Sequence, residues 1–242
     1  MWRTSYRVAF VLCLTFPRIA CADPTPEALL ARYDALMNPK TFEGVVVMVA
    51  HHQDESTRSY KMRFLKSSDD KVRVSFSEPA SARGQELLRV DDNLWVYLPN
   101  LKRALRIASR ESFQGGDFNN ADVLRVNYSR DFTARFTPSG DATSWRLELA
   151  AKTRDAAYDR VVLWMSKAEQ MPTRAEYYAV SGKLLRSAVF EDVKAFHGLR
   201  RPSHVIMRNE LATKRYSELF FLDMRFDVDA PPQRFVLTDL GR

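Results

Sequence analysis

Four histidines, His51, His52, His197 and His204, are by type the residues best suited to hold a metal ion or move a proton near neutral pH. None stands in an H-x-x-x-H or H-E-x-x-H setting. His51 and His52, adjacent on a strand, point to opposite faces and do not chelate one ion together. The acid pairs Asp69-Asp70 and Asp91-Asp92 fall in polar turns, where turn chemistry explains them better than proton transfer. There is no G-x-S-x-G element and no phosphate-cradling glycine loop. Gly115 to Phe118 spells GGDF, but the domain that gives those letters cyclase chemistry is missing around them. Both cysteines, Cys13 and Cys21, precede Asp23, so the chain beyond has neither a disulfide nor a thiolate nucleophile. The expectation is a protein without catalytic residues, metal or cofactor, and not an enzyme.

The chemistry left is that of apolar surface, and the pattern of the chain shows how it is presented. Pro24 to Met37 places Leu29, Leu30, Tyr33, Leu36 and Met37 on one stripe at helical spacing, behind a proline-containing, acidic start. From Phe42 the period becomes two. Phe42, Val46 and Met48 share one face, then Tyr60, Met62 and Phe64, then Val72, Val74 and Phe76, each set alternating with polar or charged neighbours. The same pattern resumes from Asp131 and continues to Val228, with Ser139-Gly140-Asp141 and Ser181-Gly182 as turns. The count is roughly eleven strands. Between Gly115 and Asn127 the alternation lapses, and Asn120 opens a capped helical turn. A sheet this wide with one strong helix must curl, and it then closes, fills itself or accepts a cover.

The first 22 residues carry the zones of a secretory signal: Arg3 and Arg7, an apolar run from Val8 to Phe16, and Ala20-Cys21-Ala22 before a cleavage point after Ala22. Arg18 stands where a lipobox carries leucine, which argues against lipidation of Cys21. Residues 1–22 therefore read as a signal peptide and 23–242 as one exported, periplasmic domain large enough for a core without disulfides. The formal charge is +7, and Arg3, Arg7 and Arg18 of the leader contribute to it. What remains is mildly basic, suited to anionic lipid surfaces rather than nucleic acid, and equally to solubility alone.

One segment, Arg83 to Asn127, resembles the signature region of the outer-membrane lipoprotein-sorting proteins related to LolA and LolB. A glycine, Gly84, precedes a strand. Trp95, Tyr97 and Pro99 form a Trp-x-Tyr-x-Pro hairpin, the basic Lys102 and Arg103 follow, and Phe113, Gly115, Gly116, Asp117 and Phe118 lead to Asp122 in a short helix. The ending RFVLTDLGR is also similar to the group. The resemblance implies a mainly β fold: a curved antiparallel half-open barrel covered by the N-terminal helix and a short loop helix. It further implies a periplasmic carrier of lipid or lipoprotein acyl chains, with transient membrane contact, an inner-membrane transporter and an outer-membrane acceptor as partners, and a monomeric state. The branch it resembles is often linked to RND/MMPL-type exporters, so a non-carrier accessory protein docking on such an exporter is the alternative.

An acyl chain in water costs about 0.8 kcal/mol per methylene, roughly 12 kcal/mol for some 16 carbons, so a carrier needs an apolar trough and no reactive group. The residues expected to line it are Val46, Met48, Tyr60, Met62, Phe64, Val74, Phe76 and Leu88, with Trp95 and Tyr97 at the rim or inside. Each also reads as an ordinary core residue. The loop Phe113, Gly115, Gly116, Asp117 and Phe118 is expected to gate the mouth, or simply to join strand to helix. Lys102, Arg103 and Arg106 put positive charge next in sequence to that loop, for headgroups or an acidic partner, or as a solvated strand face.

Overall fold

The computed structural model describes residues 23–68, 70–124, 127–154, 156–212 and 214–242. The leader expected at 1–22 lies outside the described residues. Helix α1 runs Pro26–Met37 and is started by Thr25, whose Oγ1 accepts from Ala28 N at 3.2 Å, with Pro26 in the first turn, where its missing N–H is not needed. Its stripe buries Leu29, Leu30, Tyr33 and Leu36, at about 2 kcal/mol of apolar burial for each. No helix among the described residues is long and apolar enough to cross a membrane.

Thirteen strands follow. β1 is Phe42–His51, β2 Thr57–Ser68, β3 Lys71–Glu78, β4 Glu86–Val90, β5 Asn93–Leu98 and β6 Arg103–Ile107; then β7 Phe132–Thr137, β8 Ser144–Ala151, β9 Arg160–Ser166, β10 Pro172–Tyr178, β11 Leu184–Phe196, β12 Leu199–Asn209 and β13 Tyr216–Phe226. All belong to one open sheet in the order β6-β5-β4-β3-β2-β1-β13-β12-β11-β10-β9-β8-β7, and neighbours pair antiparallel. Two meanders therefore meet at a central β1–β13 seam, with β6 and β7 as the outer edges. The count exceeds the expected eleven because β4 and its neighbours are short. β4 in particular is covered on both faces, so its ELLRV lacks the polar alternation that marks a strand.

The face under α1, here the inner face, carries the main core. β1 alternates buried and half-buried residues along its length, and Val46, Met48, Met62, Val74, Leu147, Leu163, Ala175 and Met207 join α1 in one continuous cluster. On the outer face of β3 to β6 a second cluster forms from Leu88, Phe235 and Leu240, with Leu65, Trp95 and Tyr97 packed against it. The C-terminal segment is bound there by Arg73, whose Nε donates to Glu86 Oε2 at 2.6 Å and whose Nη2 donates to the Asp239 carbonyl at 3.0 Å; Arg73 Nη1 also pairs with the Asp239 carboxylate.

A docked lid over an apolar face

The chain between β6 and β7 runs from one edge of the sheet to the other, and its described residues 108–124 and 127–131 lie over the inner face. Within them lie α2, Asn120–Leu124, and α3, Tyr128–Asp131. The helical turn expected at Asn120 is present as α2. A reciprocal cap starts it: Asp122 N donates to Asn119 Oδ1 at 2.7 Å, and Asn119 N donates to Asp122 Oδ2 at 2.8 Å. Ahead of it the chain doubles back through Gln114 and Gly115, both at positive φ. Gly116 then passes so close to the sheet that a Cβ there would stand 2.9 Å from Ser217 Oγ and 3.3 Å from Met48 Cε.

Asp117, only 1% exposed, fixes this loop to β12 and β13. Its Oδ2 accepts from Ser217 Oγ at 3.0 Å, its Oδ1 accepts from Asn209 Nδ2 at 3.1 Å, and Arg215 Nε stands 2.8 Å from Oδ1 as an ion pair. Asp122 fixes α2 further along the same meander: Tyr158 Oη, from the β8–β9 connection, donates to its Oδ2 at 2.8 Å, and Arg186 Nη1 of β11 lies 3.7 Å away. Burial pushes the Asp122 carboxyl up to about 6, against the opposing pull of Arg186, the Asn119 amide and the Tyr158 hydroxyl. Arg89, pointing inward from β4, donates from Nη1 to the Leu124 carbonyl at 3.1 Å and so holds the end of α2. Asp34 of α1 accepts from the Tyr128 and Ser129 amides at 2.8 Å each, while Tyr33 stacks on Tyr128 at 4.7 Å. The helix and the loop thus form one cover.

Val46, Met48, Tyr60, Met62, Phe64, Val74 and Phe76 all lie on the inner face, each buried in the same cluster as Leu29, Leu30, Tyr33, Phe113 and Phe118 of the cover. The trough is therefore occupied by the protein's own lid. Leu88, Trp95 and Tyr97 lie on the outer face instead, under the C-terminal segment. Their inner counterparts are Leu87, Leu94 and Val96, one residue away, because successive strand side chains alternate. Phe113, Gly116, Asp117 and Phe118 meet the sheet directly, whereas a Cβ on Gly115 would meet nothing within 4 Å. Lys102, Arg103 and Arg106 are exposed on the β5–β6 hairpin, and among the described residues they form no ion pair. The loop's polar partners come from β12 and β13, so nearness in sequence does not become contact in space.

Beside α1 the cover leaves an opening. A cleft of about 670 Å³ lies between its C-terminal half and the β11–β12 turn, lined among others by Ala35, Asn38, Lys40, His197, Leu199 and Phe226. Sequence reasoning missed Arg89 and Arg186 as parts of the site and gave Asp122, named in the resembling segment, no role; their pairing depends on contacts between distant segments. It also missed a bridge on the outer face, where Glu218 binds His51 Nε2 at 2.9 Å and His204 Nε2 at 2.8 Å.

An open curved sheet with a helix and a loop closed over its apolar face defines a LolA-superfamily fold. The structure superposes on a LolA superfamily protein from Nitrosomonas europaea with a TM-score of 0.79 at 28% identity, covering 88% of this chain and 98% of that one. An outer membrane lipoprotein-sorting protein domain from Vibrio parahaemolyticus matches at 0.76 and 24%, over 90% and 98% of the two chains. A DUF1329 family protein from Desulfovibrio piger matches at 0.77 and 22%, over 89% and 97%. Among curated proteins none matches significantly. The chain belongs to the family whose model, described as "Uncharacterized protein", matches residues 68–242.

Proposed function

We propose that the protein is a periplasmic carrier that exchanges its own lid for the acyl or other apolar tail of a lipid or lipoprotein, moving it between the inner and outer membranes. The observation that supports this most is the construction of the cover. The inner face is a continuous apolar surface, and what lies on it is attached by side-chain contacts such as those of Asp117, Asp122 and Arg89 rather than by strand pairing. Lifting the five cover residues Leu29, Leu30, Tyr33, Phe113 and Phe118 exposes apolar surface worth about 10 kcal/mol, at about 2 kcal/mol each. A chain of some 16 carbons offers roughly 12 kcal/mol in return. The near balance is what a shuttle requires, since a cargo held much more tightly would not be unloaded. The likeness to the LolA superfamily protein of Nitrosomonas europaea agrees with this reading.

The exposed Lys102, Arg103 and Arg106, beside Leu101 at 52% exposure, favour docking of the same hairpin on a membrane partner. In the alternative reading, docking on an RND/MMPL-type exporter is the whole function and no cargo is carried.

Titration with a fluorescent long-chain fatty acid separates the two. The carrier binds saturably, and Asp117→Ala, which loosens the lid, increases uptake. Absence of binding in both proteins, together with no amphiphile in native mass spectra of protein taken from a periplasm, rejects the carrier.

A further inference from the structure

Along β12 the inward side chains run Leu199, Arg201, Ser203, Val205 and Met207, and the second of them is out of place chemically. Arg201 is fully buried. Its Nε donates to the carbonyl of its neighbour Pro202 at 3.2 Å, its Nη2 lies 3.9 Å from Met37 Sδ, and the guanidinium sits 4.2 Å over the Phe221 ring. Its Nη1 has no hydrogen-bond partner, and no carboxylate among the described residues pairs with it. Other buried bases of the molecule are engaged: Arg73 by Glu86 and Asp239, Lys66 by the Asn38 and Pro39 carbonyls, Arg89 by the Leu124 carbonyl. An unpaired buried guanidinium is costly, and such a group calls for a partner absent from the chain itself. Burial pushes its pKa down to about 9, with Tyr33 opposing, so at neutral pH it still carries its charge.

Its place in the fold indicates the route of that partner. Leu199, two residues earlier on the same face and so roughly 6–7 Å away, lines the cleft between α1 and the β11–β12 turn. Met37, the last residue of α1 and half-buried, covers the guanidinium, and Asn38, next to it, lines the same cleft. The cleft carries Lys40 and His197 on its wall as well as Asp227, and Asp34, whose carboxylate is turned to the α3 amides. On the other side Val205 and Met207 continue into the apolar core. A small displacement of the end of α1 therefore opens a path with a cation at its start and an apolar surface beyond.

We propose that Arg201 is the anion anchor of the cargo site, receiving the carboxylate or phosphate of an anionic amphiphile whose tail replaces the lid on the inner face. This rests on the carrier reading and narrows it: the preferred cargo bears a negative headgroup, as a fatty acid or acidic phospholipid does. A planar guanidinium matches either oxyanion with two parallel hydrogen bonds, and Nη1 is free to make one. Neutral tails of equal length gain the apolar contacts but not the anchor.

The test compares palmitate, its methyl ester and inorganic phosphate as ligands of the unmodified protein, and of Arg201→Met and Arg201→Lys. Palmitate is expected to bind roughly tenfold or more tightly than the ester, in line with a charge-assisted hydrogen bond. In Arg201→Met that preference disappears while ester binding is kept, and Arg201→Lys retains part of it. Equal binding of acid and ester to the unmodified protein overturns the anchor but leaves the carrier standing, and needs no variant to fold. Absence of binding by either overturns both. Phosphate protecting the protein as well as palmitate does, in an Arg201-dependent way, identifies a small-anion site and overturns the amphiphile.

Discussion

Asp122 gives the lid a pH dependence whose size follows from its surroundings. With the carboxyl raised from 3.8 to about 6 by burial, the folded state holds the proton more tightly than the unfolded chain does. The corresponding stabilisation, about 3 kcal/mol at 1.36 kcal/mol per pH unit, is fully present below pH 3.8 and is lost as the pH rises through about 6. Above that, the charged carboxylate relies on Arg186 and Tyr158. Asp122→Asn keeps an oxygen able to accept from the Asn119 amide and the Tyr158 hydroxyl but cannot titrate. The expected result is that the melting temperature of the unmodified protein, relative to Asp122→Asn, falls by roughly 6–12 °C between pH 4 and pH 7, using about 2–4 °C per kcal/mol for a chain of this size. Differential scanning calorimetry of both proteins in one buffer series measures it. Carboxylates held below their ordinary range, such as Asp239 beside Arg73, lose stability at acid pH in both proteins and cancel in the difference. A difference that stays level across the window refutes the reasoning, because Arg186 would then fully offset the burial of Asp122.

Two further predictions concern the attachments on either face. Gly116→Ala places a methyl 2.9 Å from Ser217 Oγ, which must shift together with its bond to Asp117, at a cost of about 1–3 kcal/mol; urea unfolding should show the lower midpoint, and faster amide exchange should be confined to the lid. Arg73→Met leaves the partly buried Glu86 without its cation and releases Asp239, with an expected loss of about 3–5 kcal/mol and new protease cleavage near Arg234, read by mass spectrometry of the digest.

The parts of the fold set by local patterning were legible in the sequence. The stripe Leu29, Leu30, Tyr33, Leu36 produced α1, and strict alternation in β1, β2 and β3 assigned Val46, Met62 and Val74 to the covered face. Alternation fails where both faces are covered. In ELLRV nothing distinguishes Leu87 from Leu88, yet one joins the inner core and the other packs under Phe235 and Leu240. The polar half of the site was legible only on one side of each pair. Asp117 and Asp122 stood in the recognised segment, but nothing local points to their partners Arg215 and Arg186, which are far away in sequence until the fold brings them together. Arg201 is harder still, since Arg200 and Arg201 stand side by side and only the register with β11 assigns one to solvent, beside Glu169, and the other to the interior.

The strand order has a mechanical consequence. β6 and β7 are the two margins of the sheet, and the chain between them is bonded to β4 on one limb and to β13 and the β8–β9 connection on the other. It therefore bridges limbs that the sheet itself joins only by way of the β1–β13 seam, where the first and last strands lie together. Any cargo that takes the place of this bridge must also stand in for its contacts with both limbs.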